Sequence, residues 1–243
     1  MPTQLLFTRL LNHFFARQVD GLLAVFHVTP AYANAPITNA VAMELLVFLI
    51  LLVYFVLVRA SLSVEKPNGL QHLAELLNEG VEEQSEAIIG HGYERFTSYL
   101  TALFLFILLC NLVGLIPGLE SPTANPSVPL GFAVVTFLYY HYHGIRVNKG
   151  AYIKQFLGPV WWLYWLLFPI EIISHFARIL SLTVRLYANM FAGDLLTIAF
   201  FSLVPIGVPL VFLGLHLGVA IVQAYVFAVL GAIYLGLAVA HEH

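Results

Sequence analysis

Charge is what this chain lacks most. Among 243 residues, Lys and Arg number 10 and Asp and Glu 13, together 9% of the chain, where a soluble domain carries about 25%. At 60% apolar residues, a soluble fold has nowhere to hide them, because more than half of any folded surface still faces water. One cysteine, Cys110, excludes an internal disulfide framework, and its apolar neighbours mark it as a packing residue. A net charge of −3 offers no basic patch, so nucleic acid is not an expected partner. The chain has no phosphate-binding glycine loop, nucleophile elbow, H-E-x-x-H or dinucleotide fingerprint. Neither nucleotide binding nor covalent catalysis is therefore expected, and no cofactor or metal. Fixed-period repeats and low-complexity tracts are missing too. What remains is an all-α integral membrane protein in a single domain.

A helical crossing needs about 20 apolar residues, because the hydrocarbon core is about 30 Å thick. Apolar runs place spans at 43–60, 96–117 and 128–146, the last opening from the turn-rich SPTANPSVP. Two longer helices follow, at 160–203 and 207–240, with Pro205, Gly207 and Pro209 making a hairpin between them. Both exceed the length of a perpendicular crossing and must tilt. Five spans result. Arg59, Lys66 and Arg95 flank one connection and Arg146, Lys149 and Lys154 another, while the intervening ones carry no Lys or Arg. The basic connections face the cytoplasm, with the N-terminus outside and the C-terminus inside. Residues 1–42 are expected as an outer segment, broken by Pro30, Asn34, Pro36 and Asn39 and not a span. Its Arg9 and Arg17 oppose that orientation weakly.

Residues 70–90 read as an amphipathic interfacial helix. Leu70, Leu73, Ala74, Leu77, Val81 and Ile88 share one stripe, opposite Glu75, Glu79, Glu82, Glu83 and Glu86. Surface helices on anionic lipid usually carry Lys and Arg. The acidic face suits either shelter against other helices or a partner, or plain solvation.

The fourth span carries charges that membrane helices rarely keep. Glu171, Arg178, Arg185 and Asp194 lie in one helix, at roughly 2.5–3.5 kcal/mol each near the bilayer centre. Glu171, Ser174, His175, Arg178, Ser181, Arg185 and Asn189 fall within about a third of the circumference, and Asp194 points the opposite way. Arg185 has no acid at contact spacing on its own face, so its counter-charge must come from another helix or another protein. Glu171 and Arg178, seven apart, fit either a simple ion pair or a functional pair. The last helix adds His216 and Gln223 on one face, and small residues at Ala220, Ala224, Ala228, Ala232, Gly236 and Ala240. That row permits close helix approach and fits a seam within the hairpin. Asp194 and His216 form a candidate proton-handling pair, since histidine titrates near neutrality. His141 and His143 have metal-like spacing but read better as an interfacial cluster.

The stretch LSLTVRLYANMFAGDLL (Leu180–Leu196) resembles the signature of the subunit a family of F-type ATP synthases, and HLGVAIVQAYVF (His216–Phe227) its final-helix motif. NLVGLIPG (Asn111–Gly118) and PIEIISHFARILSL before the signature extend the likeness over most of the chain from Met43; Met1–Ala42 carries little of it. The resemblance implies the stator of a membrane motor, with no catalytic site of its own, coupling proton flow to ATP synthesis. Its implied partners are a ring of subunit c hairpins, each holding a mid-membrane carboxyl, the subunit b peripheral stalk, other ATP synthase subunits and the lipid bilayer. It implies two offset aqueous half-channels separated by Arg185. Asp194, His216, Gln223, Asn189 and Glu171 match the family's channel residues, and Ser181 and His175 join them as members of the polar stripe. Many bacterial members have Glu where this chain has Asp194. Acid first and histidine second is the bacterial order, which implies a multi-pass protein of the cell inner membrane. A self-contained ion-coupled transporter is the alternative, weakened by the lack of internal repeats.

Overall fold

The structure is a computed structural model describing residues 4–25, 35–63, 67–116, 118–149, 152, 163–203 and 207–240. Expectations at Pro30, Asn34, Lys66, Pro117, Lys154, Pro205 and residues 160–162 lie outside the described residues. Among the described residues the chain forms no strand and these α-helices: α1 (Leu6–Val25), α2 (Asn39–Ala60), α3 (Gly69–Ile89), α4 (Glu94–Val113), α5 (Ser127–Asn148), α6 (Tyr164–Leu203) and α7 (Val208–Val239). A 3-10 turn, Pro122–Ala124, precedes α5.

Local chemistry sets the boundaries. α2 starts four residues before the expected Met43 because Thr38, in extended backbone, accepts the Val41 amide and caps the helix. Asn68 caps α3, and Gly90 at φ 73, a conformation that favours glycine, ends it. α4 stops at Val113, short of the expected residue 117. α6 runs 40 residues and α7 32, roughly 60 Å and 48 Å of helix at 1.5 Å per residue. Four helices, α2, α4, α6 and α7, are long and apolar enough to cross a membrane. α5 has the length, 22 residues, but its run of tyrosines and histidines leaves it outside that group.

The N-terminal segment is more ordered than its breakers suggest. Those breakers all lie beyond Val25, so nothing upstream stops α1. Asn12 ties it to the start of α2, donating to the Ile37 carbonyl and accepting the Ile37 amide, both at 3.0 Å. Thr8 and Asn12 are buried while Leu6, Leu10 and Phe14 face outward.

α3 keeps its acidic face outward, with Glu75, Glu79, Glu83 and Glu86 exposed, and buries only part of its expected apolar stripe. Its most buried residues are Gln71 and Ser85, and Leu70, Leu73 and Leu76 point out; only Leu77, Val81, Ile88 and Ile89 pack inward. Gln71 is buried because it bonds Ser63 and Glu75, and Ser85 because it bonds the Val81 carbonyl.

The small-residue row of α7 seats against α4 and the end of α3, which answers the question of a hairpin seam. Ala220, Ala224, Ala228 and Ala232 are buried. Asn111 of α4 donates to the Ala220 carbonyl at 3.0 Å. Its Oδ1 accepts from Thr123 at 2.7 Å, and Ser121 bonds both Thr123 and the Cys110 carbonyl. This fully buried net pins α4, α7 and the turn before α5 together. Cys110 packs in the core, as expected. Asn111→Ala should cost about 2 kcal/mol, because it strands buried polar groups at Thr123 and Ala220. Titration of the purified complex with a denaturing detergent, scored by retention of this chain, should show earlier dissociation.

Candidate functional site

α6 carries the polar stripe, and its neighbours divide it into three zones. In the middle, Arg185 is exposed beside the equally exposed Leu180 and Val184, while Leu182 and Leu186 face the core. Its Nη2 donates to Ser181 Oγ at 3.3 Å, one turn back. Among the described residues no carboxylate lies within 4.0 Å of the guanidinium, as the spacing predicted. Arg185 and Gln223 share a crevice with Leu182, Leu186, Val226 and Phe227 that has no room for a water molecule. Asn189 is half-buried one turn further on and makes no hydrogen bond among the described residues.

Nine residues past Arg185, Asp194 meets the last helix. Its Oδ1 lies 3.8 Å from His216 Nδ1, just beyond hydrogen-bond reach. His216 is 4% exposed, and its Nε2 has no partner among the described residues. The ring fits because position 193 is glycine: a Cβ there would stand 2.6 Å from His216 Nε2. Asp194 is open on its other side to a cavity of about 460 Å³, lined by Thr38, Asn39, Glu120, Ser121 and Asn125 among others. Glu120 accepts from Asn39 Nδ2 at 3.2 and 3.1 Å. The sequence reading missed Glu120, although it is the one charge beside the turn-rich stretch before α5 and so had a visible signal.

At the other end of α6, Glu171 and His175 come together, with Oε1 3.4 Å from Nε2. His175 Nδ1 lies 2.8 Å from the Tyr140 hydroxyl of α5. No Glu171–Arg178 pair within 4.0 Å forms among the described residues. The Arg178 guanidinium sits 5.1 Å from the Tyr234 ring centre instead. These groups, with Tyr152, line a second cavity of about 90 Å³. The flanking aromatics hold His141 and His143: His141 is 4.7 Å from the His175 ring, and His143 5.1 Å from Phe96. Tyr140 was missed among three tyrosines in four positions. Its helical phase with the buried Ala133, Thr136 and Gly144 was the available signal.

Two cavities thus lie at separate ends of α6, one beside Asp194 and one beside Glu171. The family described as ATP synthase A chain matches residues 41–236. ATP synthase subunit a of Koribacter versatilis is 58% identical over 244 residues, covering 100% of both chains. The subunit a of Solibacter usitatus is 46% identical over 233 residues, 96% of this chain and 99% of that one. That of Geotalea uraniireducens is 37% identical over 223 residues, 92% and 95% of the two chains. The chain therefore belongs to the ATP synthase subunit a family, the proton-translocating component of the membrane Fo sector.

Proposed function

We propose that this chain supplies two offset proton half-channels and one fixed cation against which a ring of subunit c turns. The observation that carries this reading is the division of α6. Cavities open at Asp194 and at Glu171, about 35 Å apart along the helix, and the dry crevice at Arg185 lies between them. Cavities at both ends, with a crevice too tight for water against Arg185 between them, support a proton path interrupted in the middle.

Charge placement supports the orientation. Arg59, Arg146 and Lys149 end α2 and α5 on the side of the Glu171 cavity, and the Asp194 cavity adjoins the opposite ends. By the positive-inside rule the Asp194 cavity opens outside and the Glu171 cavity to the cytoplasm. With α5 as the fifth crossing, the N-terminus is outside and the C-terminus inside a bacterial cell membrane.

A proton from the outer cavity passes through Asp194 and His216 to a ring carboxylate. Arg185 faces that ring, favours the ionised form of each acid as it passes, and cannot itself carry a proton across. Gln223 and Asn189 flank the meeting point. On the far side the released proton leaves through His175 and Glu171. The transmembrane potential, about 2.3 kcal/mol per charge per 100 mV, biases the direction. Subunit b and the other ATP synthase subunits hold the chain against rotation.

Thiol accessibility tests the two paths. With Cys110 replaced by serine, Asp194→Cys should react with a membrane-impermeant thiol reagent added only outside, and Glu171→Cys only with reagent added at the cytoplasmic face. Labelling of both from one side would overturn the reading.

A further inference from the structure

We infer that Tyr140 is a positioning residue of the cytoplasmic path, acting through His175 on Glu171; this rests on the reading of the Glu171 cavity given above. The hydroxyl belongs to α5, not to the charged helix, and nothing in the α6 pattern points to it. Tyr140 is 2% exposed and His175 8%. A phenol buried that deeply needs a partner, and His175 Nδ1 at 2.8 Å supplies it.

The donor pattern follows from the third member. A carboxylate only accepts, so the His175 nitrogen facing Glu171, Nε2, carries the hydrogen. Nδ1 is then the acceptor, and the Tyr140 O–H donates to it. The tautomer follows from the network. Among the described residues, Glu171 and Arg178 on its own helix, Tyr140 and His141 on α5, Tyr152, and Tyr234 on α7 face the imidazole. His141 Nδ1 is already 3.0 Å from the Phe137 carbonyl of its own helix, and Arg178 is held over Tyr234. The Tyr140 hydroxyl thus sets the tautomer of the ring by donating to Nδ1. Without it the hydrogen can move to Nδ1, and Nε2 no longer presents a donor to Glu171 at the cavity wall.

Tyr140→Phe removes only the hydroxyl. In the assembled complex reconstituted into vesicles, ATP-driven proton flux should fall about fivefold, a modest share of what a positioned proton-transfer group contributes. The dependence of flux on pH at the cytoplasmic face should change shape. A packing defect would instead lower flux evenly at every pH, and that result, or flux equal to the parent, overturns the inference. The double variant with His175→Gln should be no slower than His175→Gln alone; multiplied losses would mean that Tyr140 acts independently and would also overturn it. Side-specific labelling of Glu171→Cys reports on the path itself, so the path can stand while the role of Tyr140 falls.

Discussion

Arg185→Ala is expected to abolish ATP-driven proton pumping while leaving the complex assembled. Among the described residues the guanidinium packs against no carboxylate and bonds Ser181 of its own helix, so its removal disturbs little of the fold. In its place it leaves an apolar outward face of Leu180, Val184 and alanine. A passing ring acid then has to ionise without a counter-charge, at about 3 kcal/mol, the insertion cost of an isolated charge. That corresponds to about a 100-fold slower step. The same change removes the fixed charge between the two cavities, so passive proton leak through the complex should rise. Arg185→Lys should restore little, because an ammonium in a poorly hydrated place gives up its proton where a guanidinium does not. Dye-reported acidification of inverted vesicles, normalised to the amount of assembled complex, measures both effects. Unchanged pumping would reject the role given to Arg185.

Why Arg185 was legible and Tyr140 was not is a matter of which forces act along the chain. Insertion cost is a one-dimensional quantity, so charges in an apolar run declare themselves without a fold. Helical phase is equally local, and it placed Asp194 and Arg185 on different sides of α6. Partner choice is not local. Glu171 had Arg178 and His175 available on its own stripe, and packing against α5 and α7 decided for His175 by drawing Arg178 onto Tyr234. The α3 stripe was legible only in part: Leu77, Val81 and Ile88 of it pack inward and Glu75, Glu79, Glu83 and Glu86 stay exposed, but the neighbouring helices also bury Gln71 and Ser85 at its edge and leave Leu70 and Leu73 outward. The Asp194 cavity depends on four separated segments, Gln4, the start of α2, the turn before α5 and the end of α6, a grouping that only the tertiary fold supplies.

The pairing of Asp194 with His216 can be tested by exchange. Asp194→Ala should lower coupled flux about 100-fold, at the lower end of what a positioned acid–base group contributes. Exchanging the residues, Asp194→His with His216→Asp, should lose only about tenfold. The two side chains approach to 3.8 Å across two helices, and either order leaves one carboxyl and one imidazole between the outer cavity and the buried end of the path. The exchange is not neutral, because Gly193 provides a hollow shaped for a ring at position 216, which a shorter carboxylate fills poorly. The transplanted acid would also be buried, His216 being 4% exposed, and burial without a full set of partners disfavours a charge. A partial rescue is therefore the signature of a pair acting together. Equal loss in the exchange and in Asp194→Ala, with both complexes assembled, would mean that the two residues work at unrelated steps.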